Sequence, residues 1–155
     1  MGILKADLIA IDVDLENAED CIRYAAEMFR KQECVVDGYA EAVADREKVY
    51  PTGLPGKGIN IAIPHTDNKF VKKAAIAVII PRNPIKFTMM GTSDQVLECE
   101  LIIPLVIQDS EAKISILRKM MKIIQNSELL IKIRNSKCKE EIMTLLSDLT
   151  DSLET

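Results

Sequence analysis

The sequence predicts an α/β fold, a single-domain sandwich whose mostly parallel or mixed sheet of about five strands is covered by helices. Three observations lead there. Residues 74–81 (Ala-Ala-Ile-Ala-Val-Ile-Ile-Pro) are continuously apolar, the pattern of a strand covered on both faces. Residues 97–107 form a second strong β run, with Pro104 inside it marking a bulge, a bend or the end of pairing on one side. Segments of helical periodicity precede and follow these runs, and such an alternation packs as helices over a sheet.

Taken in order, residues 4–12 alternate loosely (Leu4, Leu8 and Ala10 against Lys5, Asp7 and Asp12) and suit a first strand. Asp14 then reads as an N-cap, with Glu16, Glu19 and Asp20 where a helix dipole favours acids. Leu15, Ala18, Ile22, Ala25, Ala26 and Phe29 fall on one face, so the spacing predicts a helix over 14–32. Asp37-Gly38 breaks the chain, and helical character returns over 39–48 with Ala40, Val43 and Ala44 on one side. Pro51 ends that helix, because the residue before proline is pushed out of the α region. Residues 50–58, with Pro51, Gly53, Pro55, Gly56 and Gly58, read as a tight exposed loop. Ile59, Ile61 and Ile63 then alternate as a short strand that ends at Pro64-His65.

Further on, Ile85-Lys86-Phe87 suits a short edge strand and residues 89–95 a loop. From Ser110 the chain is helical. Ile114, Leu117, Met120, Met121 and Ile124 make one apolar stripe, interrupted near Asn126-Ser127. Leu129, Leu130 and Ile133 mark a short helix, and Ile142, Leu145, Leu146 and Leu149 the last. No internal repeat, low-complexity tract or linker divides the chain.

Composition narrows the function classes. The chain has 155 residues, 48% apolar and 28% charged, which is globular and long enough for a real core. Twenty basic against 24 acidic residues give a net charge of −4, which argues against nucleic acid as the main partner. No apolar run reaches the ~18–20 residues of a membrane span, and the N-terminus lacks a signal-peptide pattern. The four cysteines, Cys21, Cys34, Cys99 and Cys138, form no C-x-x-C pair and are expected to be reduced thiols. A cytoplasmic protein is the expectation.

His65 is the only histidine in the chain. At the end of a short strand, a neutral imidazole can offer a lone pair from one ring nitrogen; a structural histidine in a loop is the bland alternative. A metal site would need a cluster of His, Cys or carboxylate ligands, which is missing. No G-x-S-x-G stretch supports a hydrolase triad. Gly53-Leu54-Pro55-Gly56-Lys57-Gly58 fails the Walker A spacing, and Gly58 stands where Ser or Thr should follow the lysine. Arg46, near a helix C-terminus, complements the dipole there, and its planar fork would also suit phosphoryl oxygens if the loop folds back toward His65. Met89, Met90, Met120 and Met121 read as core filler or partly exposed contacts.

Arg46-Glu47-x-x-Tyr50-Pro51-Thr52-Gly53 followed by Ile61-Ala62-Ile63-Pro64-His65 resembles the fructose/mannitol class (type 2) of enzyme IIA domains of the bacterial sugar phosphotransferase system, most of all its galactitol-type members. The resemblance covers nearly the whole chain. It implies a phosphotransferase component, a phosphocarrier in which His65 accepts a phosphoryl group from HPr and passes it to a cysteine of a cognate IIB. IIB then phosphorylates the sugar as it crosses the membrane through IIC. Arg46 matches the arginine expected to steady the phosphoryl oxygens, and Glu47, Thr52 and Lys113 are candidates for supporting the site. No cofactor or metal is required by this scheme. Many members of the class carry a second histidine near the start of the helix after the 97–107 run; here that position is Lys113, which either adds positive charge to the site or is a surface lysine. With the chain ending at Thr155, the partners are expected to be separate proteins. A regulatory IIA-like protein, whose phosphorylation state a partner reads, is the rival reading. The sugar itself is chosen by IIB and IIC.

Overall fold

The computed structural model describes residues 4–66, 68–107 and 110–147, and the side chains of all these but 68, 110–113, 116 and 117. A 3-10 turn at Ala6–Leu8 leads into β1 (Ile9–Val13), followed by α1 (Ala18–Lys31) and α2 (Tyr39–Val49). Next come β2 (Gly53–Leu54), β3 (Ile61–Ala62), a 3-10 turn at Asn68–Phe70, β4 (Ala75–Ile76), β5 (Val78–Pro81) and β6 (Ile85–Thr88). Then follow β7 (Val96–Cys99), β8 (Leu101–Ile102), β9 (Leu105–Val106), α3 (Ser110–Ile124), α4 (Ser127–Arg134) and α5 (Lys139–Leu145). The main sheet has five strands in the order β1-β5-β8-β3-β2. It is mixed: β1 with β5 and β3 with β8 run parallel, while β5 with β8 and β2 with β3 run antiparallel. Two-stranded sheets β4-β9 and β6-β7 flank it.

The continuous apolar runs follow from two core layers. Ile59, Ile61, Ile63, Val78, Ile80, Leu101, Ile103 and Leu105 point into one layer, with Met120, Ile124, Leu130, Ile133 and Ile142 of α3, α4 and α5. Ala62, Ala77, Ile79, Ile102 and Val106 point into the other, against Cys21, Ile22, Ala25, Phe29, Tyr39 and Val43 of α1 and α2. Side chains alternate across a strand, so helices on both faces demand apolar residues at every position. The expected α/β sandwich is the observed one.

The details depart from the periodicity in several places. Helix α1 begins at Ala18, not near Asp14, and its N-cap is Asn17, whose side chain accepts the Asp20 N–H at 2.9 Å. Strand β1 runs on to Val13, opposite Pro81, and Asp14 instead faces Arg82 at 3.9 Å. The first strand is shorter than 4–12 because its opening residues coil into the 3-10 turn. The 74–81 run splits into β4 and β5 at Ala77, whose N–H leaves its neighbours for the Pro104 carbonyl at 3.0 Å. The 97–107 run becomes three short strands in three sheets, with Pro104, which has no N–H to give, at the β8–β9 break. On α3, Met120 and Ile124 are buried, while Ile114 and Met121 face outward, so the stripe is narrower than the spacing implied. Leu149 lies outside the described residues.

Candidate functional site

The site grows from the end of α2. Arg46 and Glu47 occupy its last turn, and the Tyr50 N–H closes it on the Arg46 carbonyl at 2.6 Å. Pro51 cannot continue the helix. The Glu47 carboxylate instead reaches forward to Thr52, accepting its backbone N–H at 2.8 Å and its hydroxyl at 2.7 Å. Thr52 is 2% exposed, so both donors are satisfied away from water. The Thr52 carbonyl accepts the Ile63 N–H at 3.3 Å. Pro51, Thr52 and Gly53 are therefore buried, contrary to the expected exposed loop, while Tyr50 before them and Pro55–Gly58 after them face solvent.

Gly53 permits a close approach. A Cβ there would lie 2.6 Å from the Thr88 carbonyl oxygen. The Gly53 carbonyl accepts the Met90 N–H at 2.8 Å, which stitches the β6–β7 hairpin tip to the loop. That tip is a tight turn: Met89 N–H donates to Gln95 at 2.7 Å, Thr92 N–H donates to Met89 at 3.1 Å, and Gly91 takes φ +80°.

On the other side, residues beyond β3 track the chain from Ile103 to Leu105. Ile103 N–H donates to Ala62 at 2.8 Å and Leu105 N–H to Pro64 at 3.0 Å. This carries His65 to the end of the strand, 7% exposed. Its Nδ1 lies 2.8 Å from the Ile63 carbonyl oxygen. A carbonyl only accepts, so Nδ1 carries the proton in the neutral ring and Nε2 carries the lone pair.

Arg46, Thr52, Ile63 and His65 line one cleft of about 700 Å³, together with Val49, Tyr50, Pro51 and residues 90–93 of the hairpin tip. The size is in the range of ligand-binding pockets, roughly 300–1,000 Å³. Its rim is apolar and open: Val49, Tyr50 and Met90 are all exposed. The Arg46 guanidinium lies 5.0 Å from the Tyr50 ring centroid, while its Nε is buried with no hydrogen-bond partner among the described residues. A buried donor without an acceptor is costly, and it marks a place suited to an anion. Burial raises the Glu47 carboxyl above its usual range, offset in part by the Thr52 hydrogen bonds and the charge of Arg46.

The structure thus brings together Arg46, Glu47, Thr52 and His65. Lys113 sits in the first turns of α3, and its side chain lies outside what the structure describes. Among the described residues no group of three or more His, Cys, Asp or Glu side chains could hold a metal ion. All four cysteines are free. Cys99, under the strand that leads to His65, donates to the Ile61 carbonyl at 3.4 Å, and burial followed by the Glu47 charge pushes its thiol up to about 12. It is no nucleophile at neutral pH. Sequence reasoning missed the hairpin tip as a wall of the cleft. The one local signal was Gly91 in the Met90-Gly91-Thr92 turn; its contact with Gly53 is long-range.

A helix-covered mixed sheet that presents a histidine and an arginine in one open cleft defines a class of α/β domain, and comparison places the chain within it. Residues 2–149 match the family "Phosphoenolpyruvate-dependent sugar phosphotransferase system, EIIA 2", and the chain belongs to that family. The "PTS system galactitol-specific EIIA component" of Escherichia coli (strain K12) is 28% identical over 95 residues, 61% of this chain. The match spans 63% of that relative's length. Among solved structures, the complex of enzyme IIAMTL and phosphorylated enzyme IIBMTL from Escherichia coli aligns with a TM-score of 0.78 at 22% identity, covering 94% of this chain and 99% of that one. The nitrogen regulatory protein IIA-Ntr from Neisseria meningitidis aligns with a TM-score of 0.73 at 23% identity, covering 93% and 96%. The family resemblance read from the motifs is borne out, and a galactitol-specific component is among the relatives the chain is similar to. No helix among the described residues is long and apolar enough to cross a membrane.

Proposed function

We propose that residues 1–155 form one IIA domain that carries phosphate in a sugar phosphotransferase system, accepting a phosphoryl group from HPr on His65 and passing it to a cysteine of a cognate IIB. The observation that carries this is the Nδ1–Ile63 hydrogen bond: it turns the lone pair of the ring onto Nε2 in the cleft that Arg46 also lines. Attack by Nε2 forms the N–P bond as the bond from phosphorus to the donor's imidazole breaks. The ring gains positive charge, and the Ile63 carbonyl faces that charge at Nδ1–H. Transfer to IIB reverses this: the cysteine thiolate takes the phosphorus, and the neutral imidazole leaves with its lone pair restored. Such chemistry needs positioning and charge neutralisation more than proton transfer. Arg46, with a buried donor unpaired among the described residues, would steady the phosphoryl oxygens. The scheme calls for no metal or cofactor.

The exposed Val49, Tyr50 and Met90 suit brief docking of two partners in turn. The domain would act in the cytoplasm, with the membrane component IIC reached only through IIB. The galactitol-specific relative supports a galactitol-like system. The likeness to a nitrogen regulatory IIA keeps a second reading, control of a partner protein by the phosphorylation state of His65. Incubation with phosphoenolpyruvate, enzyme I and HPr tests the main proposal. An acid-labile, base-stable label that disappears in His65→Gln is expected; a label of that kind retained by His65→Gln overturns it. Transfer onward to a IIB separates the carrier from the regulator.

A further inference from the structure

We propose that Glu47 is a positioning residue, whose grip on Thr52 sets the tautomer and placement of the His65 ring relative to Arg46. This rests on the phosphocarrier reading for its consequence, but not for its geometry. A run of hydrogen bonds links the two sides of the cleft. Glu47 accepts both Thr52 donors, at 2.8 and 2.7 Å. Thr52 accepts the Ile63 N–H at 3.3 Å, and Ile63 accepts the His65 Nδ1–H at 2.8 Å. Glu47 follows Arg46 in the last turn of α2, so the same contact ties the loop to the stretch of helix that carries the guanidinium. Thr52 is bonded to α2 on one side and to the strand of His65 on the other.

A simpler view makes Glu47 a buried carboxylate that stabilises a loop and nothing more. The two views differ in what happens at the imidazole. Once the carboxylate is gone, the buried Thr52 N–H and hydroxyl need new acceptors and the loop must move. The Ile63 carbonyl then loses its fixed direction, and the ring can populate both tautomers. A shift of ~1 Å in reacting groups costs on the order of 10²-fold in rate. Glutamine is the informative replacement. Its amide oxygen can accept the Thr52 N–H while its NH₂ donates to the Thr52 hydroxyl, which keeps the clamp without the charge.

The test compares the full-length wild type with Glu47→Ala and Glu47→Gln in two readouts. Long-range ¹H–¹⁵N NMR of the isolated protein reports the His65 tautomer, and single-turnover transfer from phosphorylated HPr reports the rate. The wild type and Glu47→Gln should show Nδ1–H alone and rates within a few-fold of each other. Glu47→Ala should show mixed tautomers and transfer on the order of 100-fold slower. A Glu47→Ala protein with the wild-type tautomer and rate overturns the proposal. So does a Glu47→Gln protein as impaired as Glu47→Ala, because charge rather than the clamp would then be at work. Should Glu47→Ala fail to fold, Thr52→Val removes one clamp bond and should mix the tautomers, with Thr52→Ser restoring the wild-type spectrum; an unmixed Thr52→Val spectrum overturns the proposal. A wild type that takes no phosphate while the tautomers respond as described sinks the phosphocarrier reading and supports the positioning of the ring.

Discussion

Arg46→Met keeps an unbranched stem in the place of the arginine stem and removes the guanidinium. Its effects on stability and on transfer should separate. The buried Nε, unpaired among the described residues, costs about 1–3 kcal/mol in the absence of an anion. Against that, the stacking of the guanidinium over the exposed Tyr50 ring, at 5.0 Å, contributes about 0.5–1 kcal/mol. The balance runs from roughly zero to about 2.5 kcal/mol in favour of methionine. For a chain of this size, about 2–4 °C per kcal/mol translates this into an unchanged Tm or a rise of up to ~10 °C. Transfer should fall in the opposite sense. Loss of one preorganised donor to a transition-state oxygen costs about 2.7–4 kcal/mol, or ~10²–10³-fold in rate. Thermal unfolding of the unphosphorylated protein and rapid-quench transfer from phosphorylated HPr measure the two effects. A Tm lowered by more than about 5 °C, or transfer at the wild-type rate, would refute the reasoning.

Three other outcomes follow from particular contacts. In Gly53→Ala the new methyl would lie 2.6 Å from the Thr88 carbonyl oxygen, so the hairpin tip must move; a loss of about 1–3 kcal/mol in stability is expected by denaturant unfolding. Wild-type stability would show that the tip adapts freely. Alkylation of the native protein should modify Cys138 alone of the four cysteines, since Cys21, Cys34 and Cys99 are buried with raised thiol pKa values; mass spectrometry showing native modification of Cys99 would contradict this. Glu47 titrates above its ordinary 4.5 because of burial, so between that value and its folded pKa the native state binds more protons than the unfolded one. Stability contributed by this group is therefore present at low pH and lost as pH rises through that window. The stability of Glu47→Gln relative to wild type should accordingly rise with pH there, and a difference independent of pH would refute the assignment.

The layers of the fold were legible because burial on both faces leaves a mark on every residue. Ile61 and Ala62, or Val78 and Ile79, serve opposite core layers, and a run with no polar member is the trace of that. The breaks inside the runs were less legible. Ala77 looks like its neighbours, yet its N–H goes to Pro104, 27 residues on, and only the three-dimensional partner reveals the split. The N-cap of α1 was misplaced because Asp14 and Asn17 are both good caps, and the length of β1 decides between them. At the site, His65 stood out as the chain's lone histidine at a strand end, and Arg46 was tied to it by the family resemblance. The part of Glu47 was obscure because its partner Thr52 lies beyond the helix, where no periodicity applies. The hairpin tip was invisible for the same reason: Met90 meets Gly53 through backbone atoms, which leave no trace in side-chain identity.

The central claim is that Nε2 of His65 is the atom that takes the phosphoryl group. Protein labelled with ¹⁵N and phosphorylated through enzyme I and HPr allows the acceptor to be read directly, from ³¹P–¹⁵N coupling in the imidazole. Coupling to Nε2, with Nδ1 still protonated, is the predicted result. Phosphate on Nδ1, or on any residue other than His65, would contradict the account.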